Sequence, residues 1–126
     1  QTGEVSPVPL IGAIDAIVVD NNRPAVWELK TSKKKWTADQ LDFDLQPTVY
    51  QMGARIHDVL APELRLLVTT KTRTPIVQVE CVTRTKRDEQ ELARVMHSVL
   101  RAIEAGIDHP IRGRQCRGCQ YGGRCG

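Results

Sequence analysis

The sequence predicts an α/β domain, and three observations carry that prediction. Its 126 residues fit one compact domain spanning 1–126 and leave little room for a second. Short apolar runs rich in branched side chains, the mark of buried strands, occur four times. Two segments with apolar residues at helical spacing interleave with them, one after the second run and one after the fourth. The expected order is strand, strand, helix, strand, strand, helix, then a tail at 107–126 that holds three of the four cysteines.

Residues 12–19, with Ile14, Ile17, Val18 and Val19, form the first strand, and Asp20, Asn21 and Asn22 end it. Residues 25–31 read as its hairpin partner across a turn at 20–24. Alternation puts Val26, Glu28 and Lys30 on one face of that strand and Trp27 and Leu29 on the other. From Thr37 the pattern turns helical, but Pro47 forbids one uninterrupted helix because it lacks the N–H and restricts Gln46 before it. The expectation is a polar loop or short turn to Leu45, then a helix over 47–60 with its proline in the first turn. Val49, Met52, Ile56, Val59 and Leu60 would make its buried stripe. Residues 64–71 and 75–84 form a second pair of strands around the turn at 72–75. A helix over 86–105 follows, with Leu92, Val95, Met96, Val99, Leu100 and Ile103 at amphipathic spacing and Gly106 as its stop.

Composition narrows the function classes. No window approaches the roughly 18 consecutive apolar residues of a membrane span, and the first residues lack the features of a signal peptide. A soluble cytoplasmic fragment, with some of its parent chain upstream of Gln1, is the expectation. A net charge of +3 says little, but its distribution says more. Lys30, Lys33, Lys34 and Lys35 cluster without an acid among them, as do Arg112, Arg114, Arg117 and Arg124. Each cluster can neutralise several phosphates; a solvated surface run is the plainer alternative.

Asp15 stands within an otherwise apolar run, where a lone carboxylate is expensive to bury and needs a partner or a metal. Across the hairpin, Glu28 and Lys30 can converge on it. Two carboxylates at a sheet suit Mg²⁺ or Mn²⁺, with water and a phosphate oxygen completing the shell. A lysine beside them can assist deprotonation of an attacking water or stabilise phosphorane charge. A structural salt bridge to Lys30 is the alternative.

Gly12-Ala13-Ile14-Asp15, then twelve residues, then Glu28-Leu29-Lys30-Thr31 resembles the Asp…Glu-x-Lys signature of the PD-(D/E)XK nuclease superfamily. Gln46-Pro47-Thr48-Val49-Tyr50 is similar to the Gln-x-x-x-Tyr motif of RecB-like members. Cys116-x2-Cys119-x5-Cys125 resembles the C-terminal cysteine motif of that branch's iron–sulfur nucleases, which include the AddB nuclease domain and the CRISPR-associated exonucleases. The resemblance implies a restriction-endonuclease-like mixed sheet flanked by helices, with a C-terminal cysteine-bound metal lobe. It implies Asp15 and Glu28 as metal ligands, the Leu29 backbone carbonyl as a third, Lys30 as the catalytic lysine, and Gln46 and Tyr50 as residues that contact DNA or orient the site. Thr31 and Lys33, Lys34 and Lys35 would meet the DNA backbone. Trp36 has two readings, base stacking and packing.

Thiolates at this spacing suit zinc or an iron–sulfur cluster; the resemblance favours [4Fe–4S]. The family's fourth cysteine lies upstream of the Asp strand, whereas no cysteine precedes Asp15 here. Cys81 is the remaining candidate for the fourth ligand, but within a strand it reads first as a small buried residue. The family's further acidic residue or histidine, on a helix before the first strand, is likewise not matched, and none of His57, His97 and His109 takes that place. The residue before Asp15 is isoleucine rather than proline, as in many members.

The expected function is a Mg²⁺- or Mn²⁺-dependent exonuclease acting on DNA ends or single strands, in repair, recombination or CRISPR and phage DNA processing. DNA is the expected partner, with a helicase or other DNA-processing subunit beside it and no membrane. A nucleoid-associated or virus-encoded setting is compatible with that reading. Two rivals stand: an inactive DNA-binding or assembly module of the same fold, and a zinc-ribbon-like interaction domain.

Overall fold

A computed structural model describes residues 8–59, 62–107, 111 and 113–124. The chain divides into two compact units, Gln1–Leu92 and Ala93–Gly126. The first contains a four-stranded sheet in the order β1-β2-β3-β4, formed by Ala16–Asp20, Arg23–Ser32, Glu63–Thr70 and Val77–Val82. The outer pairs are antiparallel and the central pair β2·β3 is parallel, so the sheet is mixed. A parallel pair requires a crossover. Here it is helical, made of α1 (Ala38–Phe43) and α2 (Gln46–Ile56). The α/β class is as expected.

The first hairpin turns on two residues rather than five. Asn21 and Asn22 both have positive φ, 48° and 61°, a conformation that asparagine tolerates and that matches the twist of the flanking strands. Arg23 and Pro24 therefore belong to β2, where Pro24 stands opposite Val19. The start of β1 is also corrected. Asp15 lies in a bend just before Ala16 and is exposed, not buried within an apolar strand.

Between Thr37 and Leu45 the chain forms a short helix, α1, rather than the expected polar loop or short turn. Thr37 caps it: its Oγ1 accepts the Gln40 N–H at 3.3 Å and its own N–H donates to Gln40 Oε1 at 3.1 Å, a reciprocal capping box. The helix stops where Asp44 turns extended, and α2 starts at Gln46 with Pro47 in its first turn.

The buried face of α2 differs from the predicted stripe. Pro47, Thr48, Tyr50 and Ala54 are buried, whereas Val49 and Met52 are half-buried and Ile56 is 80% exposed. Val59 is half-buried beyond the helix, and Leu60 lies outside the described residues. Small side chains admit a helix close to a sheet, which selects the Pro47/Ala54 side, and Tyr50 on that side joins Val26, Leu64, Leu66 and Val82 in the core. Ile14, Trp36, Leu41 and Val49 pack around this cluster.

Helix α3 (Lys86–Glu104) begins in the first unit and continues into the second. Leu92 is buried, but Val95, Val99 and Ile103 are exposed, against the expected stripe. Local terms support the helix: Thr85 and Asp88 cap its start, the Thr85 N–H donating to Asp88 Oδ2 at 2.6 Å, and Arg87 pairs with Glu91 at 3.4 Å. Cys81, expected to be buried, is exposed on β4, with its thiol donating to Glu63 Oε1 at 3.0 Å. No described helix is long and apolar enough to cross a membrane.

Candidate active site

Period-two alternation along β2 decides where the charges go. Val26 and Glu28 are buried and Lys30 half-buried, while Leu29 between them is exposed. Glu28 and Lys30 thus share the face that also holds the buried Val26, as the sequence predicts. The Lys30 ammonium lies 2.8 Å from Glu28 Oε1. Glu28 is only 5% exposed, and its second oxygen, Oε2, is buried without a hydrogen-bond partner.

Helix α2 supplies the other side of the site. Lys30 Nζ donates to Gln46 Oε1. The opposite end of that amide, Nε2, donates to the Tyr50 hydroxyl at 2.6 Å. One helical turn separates Gln46 from Tyr50, which brings the two side chains together. The Tyr50 hydroxyl in turn donates to the Ala13 carbonyl at 2.8 Å. The result is a continuous chain of bonds from Lys30 through Gln46 and Tyr50 to the backbone two residues before Asp15. Burial, then the neighbouring Glu28 carboxylate, push the Tyr50 phenol up to about 12, so it is a protonated donor at neutral pH.

Asp15 is held at the sheet edge by its Oδ2, which accepts the Leu29 N–H at 2.8 Å. The β1·β2 ladder begins at Ala16, which pairs with Trp27, so Asp15 sits just before it, beside the Glu28–Leu29 segment whose Leu29 N–H it accepts. Both carboxylates also raise the Tyr50 phenol through their charge. Among the described residues no three His, Cys, Asp or Glu side chains gather as a metal-binding group. Two carboxylates are nevertheless a sufficient protein share for Mg²⁺, which keeps several waters and takes substrate phosphate oxygens. The unpartnered Glu28 Oε2 is a hard oxygen of the kind that such an ion takes, and Asp15 and the Leu29 carbonyl are the further oxygens that could complete its protein share.

Two residues at the site escaped sequence reasoning. Asp44, in the link between α1 and α2, accepts the Gln46 N–H on Oδ1 at 3.1 Å and stands 3.8 Å from Lys30 Nζ through Oδ2. Arg84, just past β4, donates from Nη2 to the carbonyls of Leu41 at 2.7 Å and Asp44 at 2.9 Å. An acidic residue just before a proline-marked helix start is a capping signal and was available in the sequence. Arg84 left no local signal, because its partners are 40 and 43 residues away.

Thr31 lies near the end of β2, and Lys33, Lys34 and Lys35 follow it; all four are exposed. Trp36 is half-buried, its N–H donating to Gln78 Oε1 at 2.8 Å, and its ring lies 5.7 Å from Lys30 Nζ. It lies beside the lysine and packs against the core cluster. His57 ends α2 and His97 lies on α3, both exposed, and His109 is outside the described residues.

In the second unit Cys116 belongs to the short 3₁₀ turn Arg114–Gly118, and Cys119 follows directly. Both thiols are free and exposed, and the Gly113 N–H donates to Cys116 Sγ at 3.3 Å. Cys125 lies outside the described residues, as does Arg112.

A family model described as the PD-(D/E)XK nuclease superfamily matches residues 2–126. No curated protein and no solved structure matches the chain.

Proposed function

Because the chain belongs to the PD-(D/E)XK nuclease superfamily, we propose that it is a metal-dependent deoxyribonuclease of the RecB-like branch, an exonuclease acting on DNA ends or single strands. The observation that carries this reading is the Glu28–Lys30 pair, with a buried carboxylate oxygen lacking a donor and a lysine held against Gln46.

Asp15, Glu28 and the Leu29 carbonyl would hold Mg²⁺ or Mn²⁺, which lowers the pKa of a bound water and withdraws charge from the scissile phosphate. Lys30 presents its ammonium to a non-bridging phosphate oxygen and offsets the charge that builds there as the water oxygen attacks phosphorus. The bond to the leaving sugar oxygen breaks as the new P–O bond forms, and that oxygen takes up a proton. Gln46 fixes the lysine through its carbonyl oxygen, and Tyr50 fixes Gln46. Lys33 to Lys35, exposed just past the site strand, bind the DNA backbone by charge, and Thr31, exposed near the strand's end, by its hydroxyl, both without sequence preference.

The test is cleavage of end-labelled single- and double-stranded DNA by purified protein with Mn²⁺. Digestion from the ends that needs the metal and disappears in Lys30→Ala is the expected result. DNA that is bound but left intact by the wild-type chain would establish the inactive binding module instead.

We further infer that Cys116 and Cys119, with Cys125, bind a soft metal centre, a [4Fe–4S] cluster or zinc. The Gly113 N–H directed at Cys116 Sγ is the kind of bond that stabilises a metal-bound thiolate. Anaerobically purified protein should be brown with an absorbance near about 400 nm for a cluster. A colourless protein with stoichiometric zinc would assign zinc, and metal-free protein of normal stability would remove the proposal.

A further inference from the structure

The Lys30 ammonium is enclosed on four sides. Glu28 Oε1 lies at 2.8 Å and Asp44 Oδ2 at 3.8 Å. Gln46 Oε1 accepts a hydrogen bond from it, and the Trp36 ring centroid lies 5.7 Å away. The two carboxylates are not equivalent. Glu28 gives one oxygen to Lys30 and keeps the other, Oε2, without a donor. Asp44 gives Oδ1 to the Gln46 N–H and keeps Oδ2, also buried and without a hydrogen-bond partner. The distance of that oxygen from Lys30 is about 1 Å beyond the Lys30–Glu28 separation, 3.8 against 2.8 Å, which is beyond a normal hydrogen bond. The Asp44 backbone is anchored: Arg84 donates to its carbonyl at 2.9 Å, and the Gln51 side chain donates to the Arg84 carbonyl at 3.4 Å.

We propose that Asp44 is a positioning residue that receives the Lys30 ammonium when a divalent cation occupies Glu28. The inference rests on the metal-dependent reading given above. A dication on the Glu28 carboxylate repels the ammonium that stands 2.8 Å from Oε1 of the same carboxylate, and within a site of low dielectric that repulsion is strong. Lys30 must either lose its countercharge or find another. Asp44 Oδ2 is already desolvated and lacks a donor, so the lysine gains a full partner there by rotating its terminal bonds, without breaking another bond of Asp44. Gln46 bonds to Lys30 through its side chain and to Asp44 through its backbone N–H, so the lysine stays against the same helix start throughout. Asp44 thereby makes metal binding at Glu28 easier and keeps the ammonium beside the phosphate.

The experiment measures Mn²⁺ affinity of the full chain without DNA, by electron paramagnetic resonance of free Mn²⁺, in a double-mutant cycle. Asp44→Asn keeps an oxygen for the Gln46 N–H and removes the charge, and circular dichroism verifies its fold. In the presence of Lys30, Asp44→Asn should weaken Mn²⁺ binding by roughly threefold to tenfold. In a Lys30→Met background the same change should alter it by less than about twofold, a coupling typical of contacting charged groups. Equal weakening in both backgrounds would make Asp44 a direct ligand or a general field and overturn the proposal, as would no weakening in either. If Glu28→Gln leaves wild-type Mn²⁺ affinity unchanged, the metal-dependent reading itself falls and this inference with it, an outcome separate from the others.

Discussion

The Tyr50 hydroxyl donates to the Ala13 carbonyl at 2.8 Å across 37 positions of sequence. That bond fastens helix α2 to the segment leading into β1 and so fixes the approach to Asp15. Tyr50→Phe should destabilise the protein by about 1 kcal/mol, the usual net worth of one hydrogen bond. It should reduce turnover more than DNA affinity, because the phenol holds Gln46 and not the exposed lysines. Chemical denaturation and a kcat/KM split check both statements.

The same residue sets an alkaline dependence. The folded-state pKa of Tyr50 is raised from 10.0 to about 12, first by burial and then by Glu28. Folding therefore favours the protonated phenol, a contribution fully present below pH 10 and lost as pH rises from there through about 12. The stability lead of wild type over Tyr50→Phe should shrink over that window. A lead unchanged between pH 9 and 12 in urea titrations would contradict the assignment.

Lys30→Met and Glu28→Gln should differ in their effect on stability while both abolish cleavage. Removing the lysine leaves the buried Glu28 charge without its countercharge at 2.8 Å, at a cost of about 1–3 kcal/mol. Glu28→Gln removes a buried charge with one unpartnered oxygen and should be close to neutral. Mn²⁺ should restore part of the stability lost in Lys30→Met, read as an upward Tm shift, and should do nothing for Glu28→Gln.

Arg84 bridges the carbonyls of Leu41 and Asp44 with one nitrogen. Arg84→Ala frees the link between α1 and α2, so turnover should fall by about tenfold or more through misplacement of Gln46 and Lys30. Arg84→Lys should recover little, since an ammonium is a compact point charge on a flexible stem. DNA affinity measured without metal should stay within about twofold of wild type.

Replacing Lys33, Lys34 and Lys35 by alanine together should weaken DNA binding equally across sequences. It should lower the slope of log K against log salt by roughly one for each phosphate contact removed, with Mn²⁺ affinity unaltered. Binding isotherms at several salt concentrations read the slope, and a slope equal to wild type would remove these lysines from the interface.

Local chemistry in the sequence determined the alternation of strands and helices, the shared face of Glu28 and Lys30, and the pairing of Gln46 with Tyr50. Each follows from a short-range period, two along a strand or about four along a helix. The hairpin was legible too, but its length was not, because asparagine tolerates both extended and left-handed backbone and only strand pairing selects between them. Tertiary packing alone decided which face of α2 is buried. Periodicity favoured the larger aliphatic residues, whereas close approach to the sheet selected Pro47, Tyr50 and Ala54. It also decided that Asp15 is exposed and anchored by the Leu29 N–H. Asp44 and Arg84 joined the site the same way, since their partners come together only when β2, the α1–α2 link and the end of β4 meet. Spacing along a chain encodes contacts within an element, and contacts between elements depend on how they pack.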